Sequence, residues 1–439
     1  MRKTILAVVM TATLHTAMAD TPTVWTLQQC IDHALQHNIT LNTGRLSVLS
    51  AQEDTRESQA ALLPSLSLST THQLGYQPFM DNGSSADKAS YSGDYGLNAN
   101  WTVWDGKRRR YNITQSERID RQAQLTVEEN SNNIQEQIVQ LFVQILYVNE
   151  SVNVHQEILD ISRQNVLRGT EMYRVGKLSK ADLSQLEAQA ATDEYNLVNA
   201  KGTLDEYKLQ MKELLRLDYA ADFDVAVPSA SDRQALADIP PADRVMTAAL
   251  AMRPEMQQAA IDIERGKTDI DIARTGKMPT VALQGGIGTN TMTGTGTSWG
   301  SQMPDNMRGS LGVTLSVPLS DNRSTKTAVN KAKLALQQAQ LKEEDARRSL
   351  QLTIHGFWIN ATTNQQRYKA AKASVVSAQD SYELLGEQFR LGLKNIVELT
   401  NAKTTLLNAQ QSRLESKYTT LLYLQLLHFY ENGNMESFN

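Results

Sequence analysis

An internal duplication constrains this chain more than any other feature of its sequence. The segment YRVGKLSKADL at 173–183 returns as FRLGLKNIVEL at 389–399, and the glycines of the two copies lie 216 residues apart. The same offset relates GLNANWTVWDGKRRR at 96–110 to GVTLSVPLSDNRSTK at 312–326. Because the similarity extends over most of the chain at one offset, we expect two halves with the same order of structural elements.

Two segments lack the residues that interrupt helices. Residues 107–168 contain neither proline nor glycine, and residues 323–385 contain only Gly356. A helix over the first segment would be roughly 93 Å long, which exceeds the helices of globular domains. Apolar residues recur in steps of four and three along 134–166 and along 350–382. This spacing is typical of coiled coils, so each half is predicted to contain one long coiled-coil helix.

The N-terminus has the pattern of a secretory signal. Arg2 and Lys3 precede a short apolar stretch and Ala-Met-Ala, which predicts cleavage after Ala19. Loss of these two positive charges changes the formal net charge from −5 to −7, which argues against a nucleic-acid partner. Cys30 is the only cysteine and lies beyond the cleavage site, so it forms no intrachain disulfide and is expected to be a buried structural thiol.

Alternating segments in each half predict β-strands. Apolar residues alternate with small or polar ones in 91–103 and 311–317, and shorter alternations surround Leu66 and Val281. The longest apolar run of the mature chain, 138–148, is shorter than the ~20 residues of a spanning helix, so strands would have to cross any bilayer. The predicted membrane-facing residues are Tyr95, Leu97, Trp101, Val103, Leu311, Val313, Leu315 and Val317.

A half-buried soluble hairpin is the alternative for these strands. Secretion and the great length of the flanking helices favour membrane strands. Four strands cannot close a barrel, because the smallest membrane barrels have about eight. The chain would therefore contribute its strands to an oligomer.

These motifs together resemble those of the TolC family of outer membrane efflux proteins. The resemblance covers essentially the whole mature chain and rests on TLQQCIDHAL, LLPSLSLS, the WDG turn and the paired glycine motifs. It implies a mainly α fold with a membrane β-barrel, in which a homotrimer builds one 12-stranded β-barrel from three sets of four strands. The long helices would form a hollow α-barrel across the periplasm.

The resemblance also implies that both glycine motifs are helix–helix turns at a periplasmic tip. A glycine can adopt the left-handed conformation that ends a helix, which agrees with two turns here. The implied adaptor-docking residues are Gly176, Lys177, Leu178, Gly392, Leu393 and Lys394. The implied periplasmic aperture is formed by Asp182, Glu398 and Asn401, and Asn401 stands where the family often has a second acid. Arg174 and Arg390 are candidates for salt bridges at the aperture, although Asp182 and Glu398 could also act only as helix-start acids.

The same resemblance implies that the chain is an exit duct of a tripartite efflux or type I secretion system. It would passively pass substrates from an inner-membrane pump and a periplasmic adaptor through the outer membrane of a Gram-negative bacterium. A secreted coiled-coil scaffold without a pore is the alternative, but lipid-facing strands would have no role in a scaffold. The sequence contains no G-x-S-x-G, Walker or H-E-x-x-H motif, so neither an enzyme nor a cofactor is expected.

Two local clusters have simpler explanations than a site. Cys30, His33 and His37 could suggest a metal centre, but the histidines fall on the polar side of the predicted helix, with no acid nearby. The basic run at 107–110 follows a predicted strand and opens a helix, so contact with lipid headgroups explains it better than nucleic acid does. The expected organisation is a signal peptide at 1–19, a first repeat at 20–217, a linker at 218–243, a second repeat at 244–432 and a tail at 433–439.

Overall fold

The computed structural model describes residues 24–76, 89–228 and 231–435. The predicted signal peptide and its cleavage site lie outside the described residues, as does most of the predicted C-terminal tail. The first half contains β1 (Val24–Trp25), α1 (Leu27–His37), α2 (Ile39–Ala60), β2 (Ser65–Tyr76), β3 (Ala89–Trp104), α3 (Arg108–Arg174) and α4 (Lys180–Leu215). The connecting segment and second half contain β4 (Asp224–Val225), α5 (Ser231–Gln234), α6 (Ala242–Met252), α7 (Pro254–Arg274), a 3-10 turn (Thr275–Lys277), β5 (Thr280–Met292), α8 (Trp299–Asp305), β6 (Arg308–Ser316), α9 (Ser324–Arg390) and α10 (Ile396–Asn432).

The duplication and the long helices are confirmed. Helices α3 and α9 each have 67 residues, which makes each roughly 100 Å long, and their ends share the 216-residue offset of the sequence. Helix α3 packs along α4, and α9 packs along α10. The predicted apolar positions of 134–166 and 350–382 are buried or partly buried within these pairs. Each half is therefore a strand pair followed by a long helical hairpin.

The main core lies midway along the hairpins. Helices α1 and α6 pack there against α3 and α10, and Trp25 and Val225 of the short parallel pair β1–β4 are buried in the same core. Cys30 is fully buried in this core, as predicted, and burial raises the pKa of its thiol to about 12. The rings of His33 and His37 stack 4.2 Å apart, and no cluster of three or more metal-ligating side chains occurs among the described residues.

The segment between the two repeats is held against the long helices by hydrogen bonds and ion pairs of buried polar side chains. The carbonyl oxygens of Ala235 and Ala237 accept hydrogen bonds from the Gln365 side chain, at 3.2 and 2.8 Å. Lys417, which is nearly buried, bridges Asp232 of α5 at 3.0 Å and Glu150 of α3 at 3.2 Å. These contacts join the connecting segment to α3, α9 and α10.

The four long strands form one antiparallel sheet at the end of the molecule opposite the hairpin turns, in the order β2-β3-β5-β6. Its register places Leu68, Leu97 and Ile287 side by side on one face. On the other face, Ser67, Asn98, Gly286 and Ser310 lie in one row. The sheet thus has an apolar and a polar face, and within the described residues β2 and β6 each have one edge without a partner strand. Among the helices of the described ranges, none is both long and apolar enough to cross a membrane.

Candidate functional site: the hairpin tip and the exposed sheet

The two glycine motifs form matching turns at the ends of the hairpins. Gly176 and Gly392 have φ values of +73° and +74°, a backbone conformation that a residue with a Cβ adopts only under strain. In the first turn, Lys177 N–H donates to the Met172 carbonyl at 2.8 Å, and in the second Leu393 N–H donates to the Gln388 carbonyl at 2.9 Å. These bonds close the preceding helices in the same way, with each glycine open to solvent.

The two predicted aperture acids lie in the first turns of the returning helices and take part in capping. Ser179 accepts a hydrogen bond from the Asp182 N–H at 3.0 Å and donates to its carboxylate at 2.7 Å. Asn395 and Glu398 form a reciprocal capping box at 3.0 and 3.3 Å. The helix-capping role is thus present for both acids, and it leaves carboxylate oxygens available for a second role.

The charges near these acids differ between the two halves. Lys394 donates to Glu398 at 2.6 Å, and together with the capping bond to Asn395 this lowers the pKa of the Glu398 carboxyl. Asp182 has no ion-pair partner within the described part of the chain. Arg174 and Arg390 do not contact either acid in the chain, because they pair with Glu171 and Glu387 of their own helices at 2.8 Å.

Most of the predicted docking residues are exposed around the turns. Lys177 and Leu393 are open to solvent, and the Leu393 side chain is 70% exposed. Leu178 is instead partly buried, because it packs with Leu186 in the small core of the tip. Asn401 is exposed on α10, one turn beyond Glu398. The sequence motifs therefore place a compact group of exposed residues around two rigid turns.

A buried polar cluster, which we call the tip triad, joins the two hairpins behind the turns. Lys403 of α10 donates to Asp193 of α4 and, at 2.8 Å, to Ser162 of α3. Ser162 donates to the same Asp193 oxygen at 2.5 Å, and Gln189 donates to the other oxygen at 3.1 Å. All three members of the tip triad are 3% exposed. Burial lowers the pKa of the Lys403 ammonium, while the hydrogen bond to Asp193 acts in the opposite direction.

Sequence reasoning missed the tip triad, although a signal for it exists. Lys403 follows Ile396 and Leu399 at the spacing of a buried seam, and Asp193 follows Leu186 by seven residues in another. A charged residue inside an apolar seam indicates a buried charge that needs a partner, although the pattern does not identify that partner. In the second half, the positions equivalent to Ser162 and Asp193 are Ala378 and Ala409, which are buried in an apolar layer with Leu406.

The apolar face of the sheet is exposed in the single chain. Leu311, Val313 and Leu315 of β6 are 85%, 68% and 64% exposed. Leu97 and Trp101 of β3 are also exposed, whereas Tyr95 is partly buried against the His72 and Trp299 rings. A bulge shifts the register after Thr102, so that Trp104 pairs with Val281 and Val103 becomes the extra residue. Val317 lies just after the end of β6 and is exposed.

Comparison with known proteins agrees with this geometry. The sequence model of the family described as "Outer membrane efflux protein" matches residues 30–215 and 245–428, which together cover most of both halves. The chain belongs to this outer membrane efflux protein family. The outer membrane protein TolC of Escherichia coli K12 is 24% identical to it over 417 residues, which cover 90% of this chain and 80% of TolC.

Solved structures of similar proteins share the fold. The outer membrane protein VceC of Vibrio cholerae superimposes with a TM-score of 0.77 at 18% identity, over 92% of this chain and 96% of VceC. The open state of the Neisseria gonorrhoeae outer membrane channel MtrE also gives a TM-score of 0.77, at 17% identity, over 92% of this chain and 88% of MtrE. The family's fold therefore extends over nearly the whole described chain.

Proposed function

We propose that this chain is the outer membrane exit duct of a tripartite efflux or secretion system and that it works as a homotrimer. The sheet is the observation that carries the proposal. Its apolar face is exposed, and among the residues that the structure describes its outer strands β2 and β6 each have an unpaired edge. In a bilayer, every strand edge must be paired, so three copies that join β2 to a neighbour's β6 would close one barrel.

The helical hairpins supply the second part of the duct. They extend from the sheet over roughly 100 Å to the glycine turns, which is sufficient to cross much of a periplasm. A periplasmic adaptor would dock on the exposed turns around Gly176 and Gly392, and a separate inner-membrane pump would provide the energy. The duct itself carries out no chemical step. A coiled-coil tether would explain the hairpins but not the exposed apolar sheet.

The proposed location and processing follow from this role. The signal peptide at 1–19 would direct the chain out of the cytoplasm and be removed after Ala19. Repeats at 20–217 and 244–432, joined by the linker at 218–243, would then each give one strand pair and one hairpin to the trimer. The strands would lie in the outer membrane and the hairpins in the periplasm.

We further propose that Asp182, Glu398 and Asn401 line the periplasmic aperture. In a trimer, Asp182 and Glu398 supply two carboxylates per chain around one axis, which would attract cations and repel anions. Asp182 is expected to contribute more of this selectivity, because Lys394 offsets the charge of Glu398. Arg174 and Arg390 remain candidates for bridges to a neighbouring copy, which would compete with their pairs to Glu171 and Glu387.

Planar-bilayer recordings test the duct and its aperture together. The purified protein should form cation-selective channels, and Asp182→Asn with Glu398→Gln should move the reversal potential in a salt gradient most of the way toward that of a non-selective pore. Asp182→Asn alone should have a larger effect than Glu398→Gln alone.

The matched control is Asp205→Asn with Glu206→Gln, which changes the net charge equally at two exposed acids of α4 far from the aperture and should shift the potential less. A protein that inserts but never conducts would contradict the duct. An unchanged reversal potential in the double variant at the acids would show that they serve only as helix caps.

A further inference from the structure

The junction between the sheet and the long helices carries a band of unpaired positive charge. The band contains six exposed cationic side chains, none of which has an ion pair or a side-chain hydrogen bond within the described residues. They come from both halves of the duplication and from the turn before β5: Lys107, Arg108, Arg110, Lys277, Arg323 and Lys326. The chain as a whole has a net charge of −5, so this group of positive charges is a local feature.

The turns that carry these residues pack against one another. Gly106, after β3, lies so close to Met278 that a Cβ there would meet its side chain at 2.4 Å. Gly276 in turn lies against Thr325 at the start of α9, where a Cβ would meet the hydroxyl at 2.7 Å. The turns after β3, before β5 and after β6 therefore form one continuous surface, which we call the basic collar.

The two acids within the collar are occupied by internal contacts. Asp105 accepts from the side chain of Arg109 at 2.9 Å and from its backbone N–H at 3.2 Å. Asp321 accepts from the Thr325 N–H at 2.8 Å, at the equivalent place in the second half. Arg109 also donates to the Ala61 carbonyl at 3.0 Å, so this one arginine of the basic run has a structural role. Hydrogen bonds from Thr325 lower the pKa of the Asp321 carboxyl, and Lys277 lies close enough to lower it further. The remaining five cations of the collar have no such internal partner among the described residues and can face an external anion.

Backbone conformation gives an independent indication that the cationic side chains have a role. Lys107 and Arg323 have φ values of +72° and +69°, in the left-handed region, where a side chain is strained and glycine is not. Each stands at the N-cap of a long helix, where glycine is also well tolerated. The strain would be relieved by glycine at either position, which suggests that the charge serves a purpose there.

Apolar residues border the collar on the sheet side. Trp104, Met278 and Leu319 are 44%, 48% and 95% exposed just beside the charges. A band of aromatic and aliphatic side chains next to a band of cations fits the boundary between acyl chains and headgroups. We propose that the basic collar binds the phosphate headgroups of anionic phospholipids in the membrane leaflet nearest the helices. This inference rests on the proposed insertion of the sheet into the outer membrane.

The test compares lipid retention by the trimer purified in detergent. The protein is mixed with phosphatidylglycerol and phosphatidylethanolamine of equal chain length, and native mass spectrometry counts the lipids of each kind that remain bound. Wild type should retain phosphatidylglycerol preferentially. Lys107→Gly with Arg323→Gly should weaken that retention by roughly 25-fold, since each basic residue near an anionic surface contributes about fivefold. Inorganic phosphate should not displace the lipid, because it lacks the acyl chains that the apolar border would hold.

The glycine variant is designed to fold, since it removes two strained side chains together with their charges. Lys369→Gln with Lys372→Gln is the control, because both lysines are exposed on α9 far from the sheet and the charge change is equal. Equal retention of the two lipids by wild type, or an equal loss in the control, would overturn the inference while leaving the duct intact. Failure of the wild-type chain to form a trimer would instead count against the proposed function, and with it the lipid site.

Discussion

Substituting Lys403 with methionine is expected to destabilise the hairpin tip strongly. The substitution leaves Asp193 buried without its counter-charge, and breaking a buried ion pair in this way typically costs about 3–5 kcal/mol. The effect should be strongest in the hairpin segments that meet at the tip triad, because its three side chains join α3, α4 and α10 there. Hydrogen exchange measured by mass spectrometry should therefore show protection around residues 186–199 and 399–409 falling by a factor on the order of 100 or more.

The matched control replaces the whole tip triad with apolar residues. Ser162→Ala with Asp193→Leu and Lys403→Met removes both charges together, and removing a buried pair completely is often close to neutral. The second half of the chain already has an apolar layer at the equivalent place, formed by Ala378, Leu406 and Ala409. Protection close to that of wild type is expected. If the triple variant exchanges as fast as Lys403→Met, the loss comes from altered packing rather than from an unpaired charge.

Replacing Gly392 with valine is expected to reduce export to the level of a strain that lacks the duct. A β-branched residue at φ +74° is strongly disfavoured, so the turn must change its backbone where the adaptor is proposed to dock. Assembly should persist, because no atom of the described part of the chain lies within 4 Å of the position where the new Cβ would be. The measurement is accumulation of a fluorescent export substrate in cells, together with the amount of trimer in the outer membrane.

Gly433 offers a matched control for this experiment. It has the same φ of +74°, is equally uncrowded and ends α10 at the other end of that helix. Gly433→Val should therefore carry similar backbone strain but leave export near the wild-type level. Gly392→Asn should be milder than Gly392→Val, because asparagine tolerates the left-handed region. Normal export by Gly392→Val, or equal loss in both valine variants, would contradict docking at this turn.

The structural features that occur in both halves of the duplication were predicted well from the sequence. The spacing of glycine and proline gave two long helices, and the structure ends both α3 and α9 at the predicted glycine turns. The four predicted strand segments are also present in the structure, because alternation of apolar and small residues is a local property of a strand. Because of the 216-residue offset, each of these elements was indicated twice, once in each half of the chain.

Features that depend on long-range pairing were not predicted. Lys403 and Asp193 are 210 residues apart in the sequence, and no local pattern says which charged groups of different hairpins will meet. The partners of Arg174 and Arg390 were missed for a different reason. Each has an acid three residues earlier on its own helix, a spacing that allows a local ion pair, and this pattern was not considered in the sequence. The bulge after Thr102 depends on how β3 pairs with β5, and the sequence of β3 alone does not determine that pairing.

The mass of the purified complex in detergent tests the central claim most directly. The proposed duct requires four strands from each of several chains to close one barrel, and the family resemblance sets that number at three. Native mass spectrometry of the detergent-extracted protein should therefore give the mass of three chains that each begin at Asp20. A folded single chain, or a protein that stays in solution as separate chains without detergent, would contradict the account.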